Sequence, residues 1–116
     1  MAEADGQGPT QDFLRAAARE LKLWILAGTI VIRGESDGRV TNSSLLFDAD
    51  GNRAARYDKI HLFDVGIPGR NEQYRESTHV APGDKVVLAD VSFVIRCCLP
   101  RLAQWGSICS LKHHYT

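Results

Sequence analysis

Neither sign of charge prevails in this chain: Lys plus Arg and Asp plus Glu number 14 each, so the formal net charge is zero. Without a basic footprint or a polybasic stretch, nothing in it speaks for a nucleic-acid partner or an anionic membrane surface. Long hydrophobic runs are lacking too. The longest, Leu23 to Ile32, ends well short of the roughly 20 residues needed to cross a bilayer. The N-terminus, MAEADGQGP, has acidic and small residues where a signal peptide needs a basic and then an apolar region, so the cytosol is the expected location. Cysteine is scarce, with only Cys97, Cys98 and Cys109, all near one end. An odd, crowded set does not read as a disulfide framework, and free thiols in a reducing compartment are expected. Adjacent cysteines with His113 nearby also miss the C-x₂-C spacing that suits tetrahedral zinc, and no second ligand pair exists. Gly66-Ile67-Pro68-Gly69 is no phosphate loop, because no lysine-serine pair and helix follow it. Neither a metal site nor a phosphate loop is therefore expected.

What is present is an ordinary globular composition, 44% hydrophobic and 24% charged, in a chain of 116 residues that allows one domain at most. Thr10 to Lys22 reads as an amphipathic helix, with Thr10 as its cap and Asp12 near the positive end of its dipole. Phe13, Ala17 and Leu21 recur at a spacing that makes a buried stripe, with Leu14 and Ala18 beside them. Leu23 to Arg33 is nearly continuous in apolar and β-branched residues, as expected of a strand covered on both faces, and Trp24 within it reads as core. Val40 to Phe47 and Asn52 to Lys59 read as a hairpin closed by the turn Asp48-Ala49-Asp50-Gly51. Leu62 to Pro82 reads as a long loop, of the length that is either functional or disordered, and Lys85 to Val91 as a fourth strand. This order predicts an α/β layered domain. After Phe93 the character changes: residues 94–116 hold every cysteine and no Asp or Glu, and read as a divergent tail without regular structure.

The string NSSLLFDADGNRAARYDKIHLFD, from Asn42 to Asp64, holds Lys59 between Asp58 and His61 just past a strand. It resembles the lysine signature of the nitrilase superfamily, the carbon-nitrogen hydrolases that cleave amides and nitriles through a cysteine thioester. IPGRNEQYRESTHVAPGDKVVLADVSF, which follows, is similar to the amidase branch containing omega-amidase and deaminated-glutathione amidase. The resemblance runs from about Gly8 to Phe93. It implies a partial αββα sandwich over residues 1–93, a small linear amide as substrate, water as co-substrate, no cofactor, and assembly into homo-oligomers.

The resemblance also implies roles. In the family a cysteine attacks the amide carbon, a first Glu shuttles the proton as base and acid, Lys stabilises the tetrahedral oxyanion, and a second Glu orients the lysine and the substrate. By position, Lys59 matches the lysine and Glu76, in Tyr74-Arg75-Glu76-Ser77, the second glutamate. His61, Phe63 and Asp64 match the signature as residues that shape the site. The base belongs on a strand upstream of the first helix, and neither Glu3 nor Glu20 stands in that motif. The nucleophile belongs in a stretch like FGRLGLSICYDLRFPE after Phe93. There the chain reads VIRCCLPRLAQWGSICSLKHHYT, and Cys109 in Ser107-Ile108-Cys109-Ser110 echoes the motif out of register. The expectation is a chain that carries two of four catalytic members, begins late, departs from the family pattern near Phe93, and is inactive by itself.

Overall fold

The computed structural model describes residues 1–69 and 73–91, together with the backbone of 111–113. Helix α1 (Pro9–Leu21) leads into β1 (Ile25–Arg33), β2 (Val40–Phe47) and β3 (Arg53–Asp58), which form an antiparallel sheet in that order. A small hairpin, β4 (Asp64–Gly66) with β5 (Gln73–Arg75), and a 3₁₀ turn (Glu76–Thr78) follow. The last pair is parallel, β6 (Ala89–Val91) with β7 (Leu111–His113). The expected mixed helix-and-sheet class is borne out, and so are the helix, β2 and the hairpin.

Strand alternation divides β2 between two faces. Ser43, Leu45 and Phe47 are fully buried, and the latter two pack with Ile30, Ile32 and Ala18 of α1 into the core. Asn42, Ser44 and Leu46 point to the other face. β1 carries a bulge opposite Ser44, where Gly28 and Thr29 together face one residue. The hairpin turn is held by the Asp48 carboxylate, whose Oδ1 accepts the Asp50 and Asn52 amides at 2.9 Å each. Gly51 closes it at φ 84, with its α-carbon against the Arg15 carbonyl of α1, so a side chain there would meet both strain and backbone.

Several expectations are corrected. Thr10 does not cap the helix; Gly8 holds that position, and the cap is supplied from upstream by the Glu3 carboxylate. Glu3 Oε1 accepts the Thr10 amide at 2.7 Å, and Oε2 accepts the Gln11 amide at 3.2 Å and the Gln11 Nε2 at 3.1 Å. The buried side of α1 is accordingly turned toward Gln11, Leu14 and Ala18, while Phe13 and Leu21 stand 70% and 61% exposed. β1 is not covered on both faces: Ile30 and Ile32 are buried, but Val31 between them is exposed. Trp24 precedes the strand and is half-buried rather than core. The expected loop 62–82 holds the β4–β5 hairpin and the 3₁₀ turn, and the expected strand 85–91 is regular only over Ala89–Val91. Of the tail 94–116, only the backbone of Leu111–His113 lies within the described residues. Cys97, Cys98 and Cys109 lie outside them.

The Glu3 clasp carries a pH dependence. Hydrogen bonds from Thr10, then from Gln11, hold its pKa down from 4.5 to about 2, against the opposing effect of burial. A depressed carboxylate stabilises the fold above its unfolded pKa, and this contribution is lost as pH falls through the folded value. The start of α1 is therefore expected to lose amide protection between about pH 4.5 and pH 2. Glu3→Gln should abolish that step; an unchanged acid profile at Thr10 and Gln11 would count against the clasp.

Candidate active site

Lys59 is the first residue beyond β3, and its peptide group is fixed at both ends. Its amide donates to the Asn42 carbonyl at 2.9 Å, and its carbonyl accepts the Gly83 amide at 2.9 Å. The backbone approach at Gly83 leaves no room for a side chain, since a Cβ there would run into the Asp58 carbonyl. Gly83→Ala is thus expected to push the Lys59 peptide aside at a cost of about 1–3 kcal/mol. The check is faster exchange of the Gly83 and Lys59 amides and a lower denaturation midpoint; unchanged exchange at both would contradict it.

Glu76 reaches Lys59 from the start of the 3₁₀ turn. Two backbone bonds dock that turn beside the first residue of β2, Val40 amide to His79 carbonyl at 2.9 Å and Ala81 amide to Val40 carbonyl at 2.7 Å, and a third, Val80 amide to Glu76 carbonyl at 2.9 Å, closes the turn on itself. The Lys59 Nζ lies 2.8 Å from Glu76 Oε2 and 3.2 Å from Oε1. Two further donors complete the carboxylate, with the Phe63 amide at 2.6 Å from Oε2 and the Asn42 Nδ2 at 2.8 Å from Oε1. Side-chain exposure is 24% for Lys59 and 12% for Glu76, so the pair is sheltered yet open to solvent on one side. Burial raises the Glu76 pKa, but the Lys59 bond and charge, the Phe63 amide and Asn42 outweigh it and hold the group below its ordinary value, ionised at neutral pH.

The two residues singled out from the sequence are thus brought together from positions 59 and 76. Of the signature residues beside them, Phe63 contributes its amide and sets its ring against Tyr74, tilted by 54° at a centroid distance of 5.8 Å. Asp64 Oδ1 accepts the Ser77 amide at 3.0 Å and so ties β4 to the turn. His61 is exposed. On the sheet's opposite face, Asp58 Oδ1 accepts Ser43 Oγ at 2.6 Å and Arg56 Nε at 2.8 Å, and Arg56 reaches back to Asp5 at 3.0 Å. This network anchors the strand end that presents Lys59. Sequence reading missed Asn42, Asp58 and Arg56 as members of the site. The signal for Asn42 was present in its residue type, a poor strand former in the middle of a strand.

Chemically, the arrangement offers a preorganised cation. An ammonium has three protons, and the carboxylate takes at most two, which leaves capacity for a substrate oxygen. A fixed positive charge in a partly dry site stabilises an oxyanion more than the same charge in water. Among the described residues no cluster of His, Cys, Asp and Glu could hold a metal, and no helix is long and apolar enough to cross a membrane.

Comparison with known proteins gives three findings. A family model described as carbon-nitrogen hydrolase matches residues 1–109, beyond Phe93 and as far as Cys109. Among curated relatives, a deaminated glutathione amidase of Yersinia enterocolitica is 46% identical over 90 residues, 77% of this chain and 32% of that protein. Human omega-amidase NIT2 is 33% identical over 86 residues, 74% of this chain and 30% of that protein. Among solved structures, the Caenorhabditis elegans NitFhit protein superposes with a TM-score of 0.60 at 32% identity, covering 66% of this chain and 19% of that one. Saccharomyces cerevisiae Nit3, of the nitrilase superfamily, gives 0.58 at 22% identity over 76% of this chain and 32% of its own, a likeness of fold. The chain spans about a third of the length of the curated relatives it matches.

Proposed function

The chain belongs to the carbon-nitrogen hydrolase family, and from that footing we propose that Lys59 and Glu76 form the oxyanion-binding corner of a cytosolic amidase acting on a small linear amide. The observation that carries this reading is the ammonium of Lys59 held 2.8 Å from a carboxylate that is itself fixed by two other donors. In the proposed reaction a cysteine thiolate attacks the amide carbon and the carbonyl π electrons move onto oxygen, beside Lys59. The C–N bond then breaks as a glutamic acid gives its proton to the departing nitrogen, releasing ammonia and leaving a thioester. The same carboxylate takes a proton from water, whose oxygen displaces the thiolate to give the carboxylic acid. Glu76 orients the lysine throughout and does not transfer the proton. No cofactor enters this scheme.

The nucleophile and the proton-transferring glutamate are not among the residues assigned here. A polypeptide of these 116 residues alone is accordingly proposed to release no ammonia from short α-keto amides or dicarboxylic monoamides. The direct test is a chimaera: the matching stretch of the 46%-identical amidase replaced by this chain's residues. Ammonia release by the chimaera supports the reading; an inert chimaera with an intact fold refutes it.

A second reading has one observation in its favour. The stripe Phe13, Ala17, Leu21 leaves two large apolar side chains exposed along the outer side of α1. A non-catalytic fragment could use it to dock onto a full-length subunit of the family, and homo-oligomers could use it as well. Co-expression with a complete homologue separates the two readings: co-purification lost in Phe13→Glu, with no activity from Lys59, favours docking.

A further inference from the structure

The geometry points to Asn42 as the positioning residue of the Lys59–Glu76 pair, a single side chain and carbonyl that grip both partners and set which carboxylate oxygen meets the ammonium. Its main-chain carbonyl accepts the Lys59 amide at 2.9 Å. Its Nδ2 donates to Glu76 Oε1 at 2.8 Å, across 34 positions of sequence. The orientation of the amide is forced, because an ionised carboxylate only accepts and Asn42 must therefore present its nitrogen. Each oxygen of Glu76 then has a separate fixed donor: Asn42 on Oε1, the Phe63 amide on Oε2. A carboxylate is otherwise free to turn in a broad two-fold well. With one donor on each side, rotation breaks a bond, and Lys59 settles nearer Oε2, at 2.8 Å against 3.2 Å.

The residue type supports the assignment. Asparagine is disfavoured in strands, and Asn42 sits inside β2 on the face away from α1, so neither the strand nor the core asks for it. Aspartate would match its size but set a second negative charge against Glu76. Alanine would leave Oε1 with Lys59 as its one remaining donor. Ser43, one position on, faces the other side of the sheet and bonds Asp58 instead. Asn42 thus joins two things that must coincide, the backbone height of Lys59 and the rotation of Glu76. Its catalytic meaning rests on the proposed role of that pair, but the geometry does not, and the two can fail separately.

The experiment follows the Glu76 carboxyl carbon and the Asn42 side-chain amide by NMR through an acid titration of the 116-residue chain. The Asn42 amide protons are expected to shift with the same midpoint as the Glu76 carboxyl, since they report its charge directly. Asn42→Ala should move that midpoint upward, and Asn42→Asp should move it further, through like-charge repulsion. A purely structural asparagine would leave the midpoint alone while changing the melt. The inference is overturned if the Asn42 amide ignores the titration, or if the midpoint is unmoved in variants whose Ser43 and Leu45 amides match the parent. Should neither variant fold, the parent's amide decides the matter. In the active chimaera, Asn42→Ala should lower kcat about tenfold with KM nearly unchanged, as expected for lost orientation. An active chimaera indifferent to Lys59→Ala would sink the proposed function and leave the NMR result standing.

Discussion

Lys59→Ala in the amidase chimaera should reduce ammonia release by about 10²–10³-fold, with most of the loss in kcat. That is the typical effect of removing one group that meets a developing oxyanion. Substrate binding uses the ground-state amide, whose oxygen carries little charge, so KM should move far less than kcat. The substitution also leaves the Glu76 carboxylate, 12% exposed, without its counter-charge. Some loss of stability is therefore expected with the loss of rate. Lys59→Arg separates these effects: it keeps the charge and the ion pair but moves the donors, so stability should return while activity recovers only in part. Lys59→Ala with full activity and unchanged KM would remove the lysine from the mechanism.

Phe47→Ala should cost about 3–5 kcal/mol, the usual effect of deleting a fully buried aromatic ring. Phe47 is 0% exposed and packs with Leu45, Ile30, Ile32 and Ala18 in the core beneath α1. Domains of ordinary size are stable by only about 5–15 kcal/mol, so such a loss takes most of the margin. Urea unfolding followed at β2 amides would measure it. A midpoint that hardly moves would mean that α1 is not docked on the sheet in solution. Leu46→Ala is the informative partner, because its side chain, 2% exposed, is on the opposite face and leaves the α1 core intact.

What the sequence made legible was local. Val40–Phe47 could be bounded because turn-forming residues flank it, Gly34 to Gly38 before and Asp48 to Gly51 after, and the Asp48 carboxylate folds the second turn. Lys59 and Glu76 were recognisable from the strings around them, although no spacing rule reveals that residues 17 positions apart meet at 2.8 Å. The facing of α1 was not legible. Phe13, Ala17 and Leu21 form as good an apolar stripe as Leu14 and Ala18, and the choice was made by Glu3 and Gln11. Four hydrogen bonds made or accepted by the Gln11 side chain lock it inward beside the N-terminal segment. Polar clasps of this kind leave no periodic trace. The hairpin inside residues 62–82 was hidden for another reason: strands as short as Asp64–Gly66 and Gln73–Arg75 are too brief for alternation to register. Asn42 escaped notice because its partner lies in that same stretch.

The two-sided nature of β2 has a practical corollary for anyone altering this protein. Leu45 and Phe47 on one face govern robustness, whereas Asn42 on the other bonds Glu76, the partner of Lys59. Libraries confined to Leu45 and Phe47 would seek hardier variants without touching the side chains bonded to Glu76 or Asp58. Those confined to Asn42 and Ser44 would probe the Lys59–Glu76 side of the sheet and leave the α1 core and the buried Leu46 alone. Inserting one residue before Thr41 would exchange the two sets and forfeit both properties in a single event.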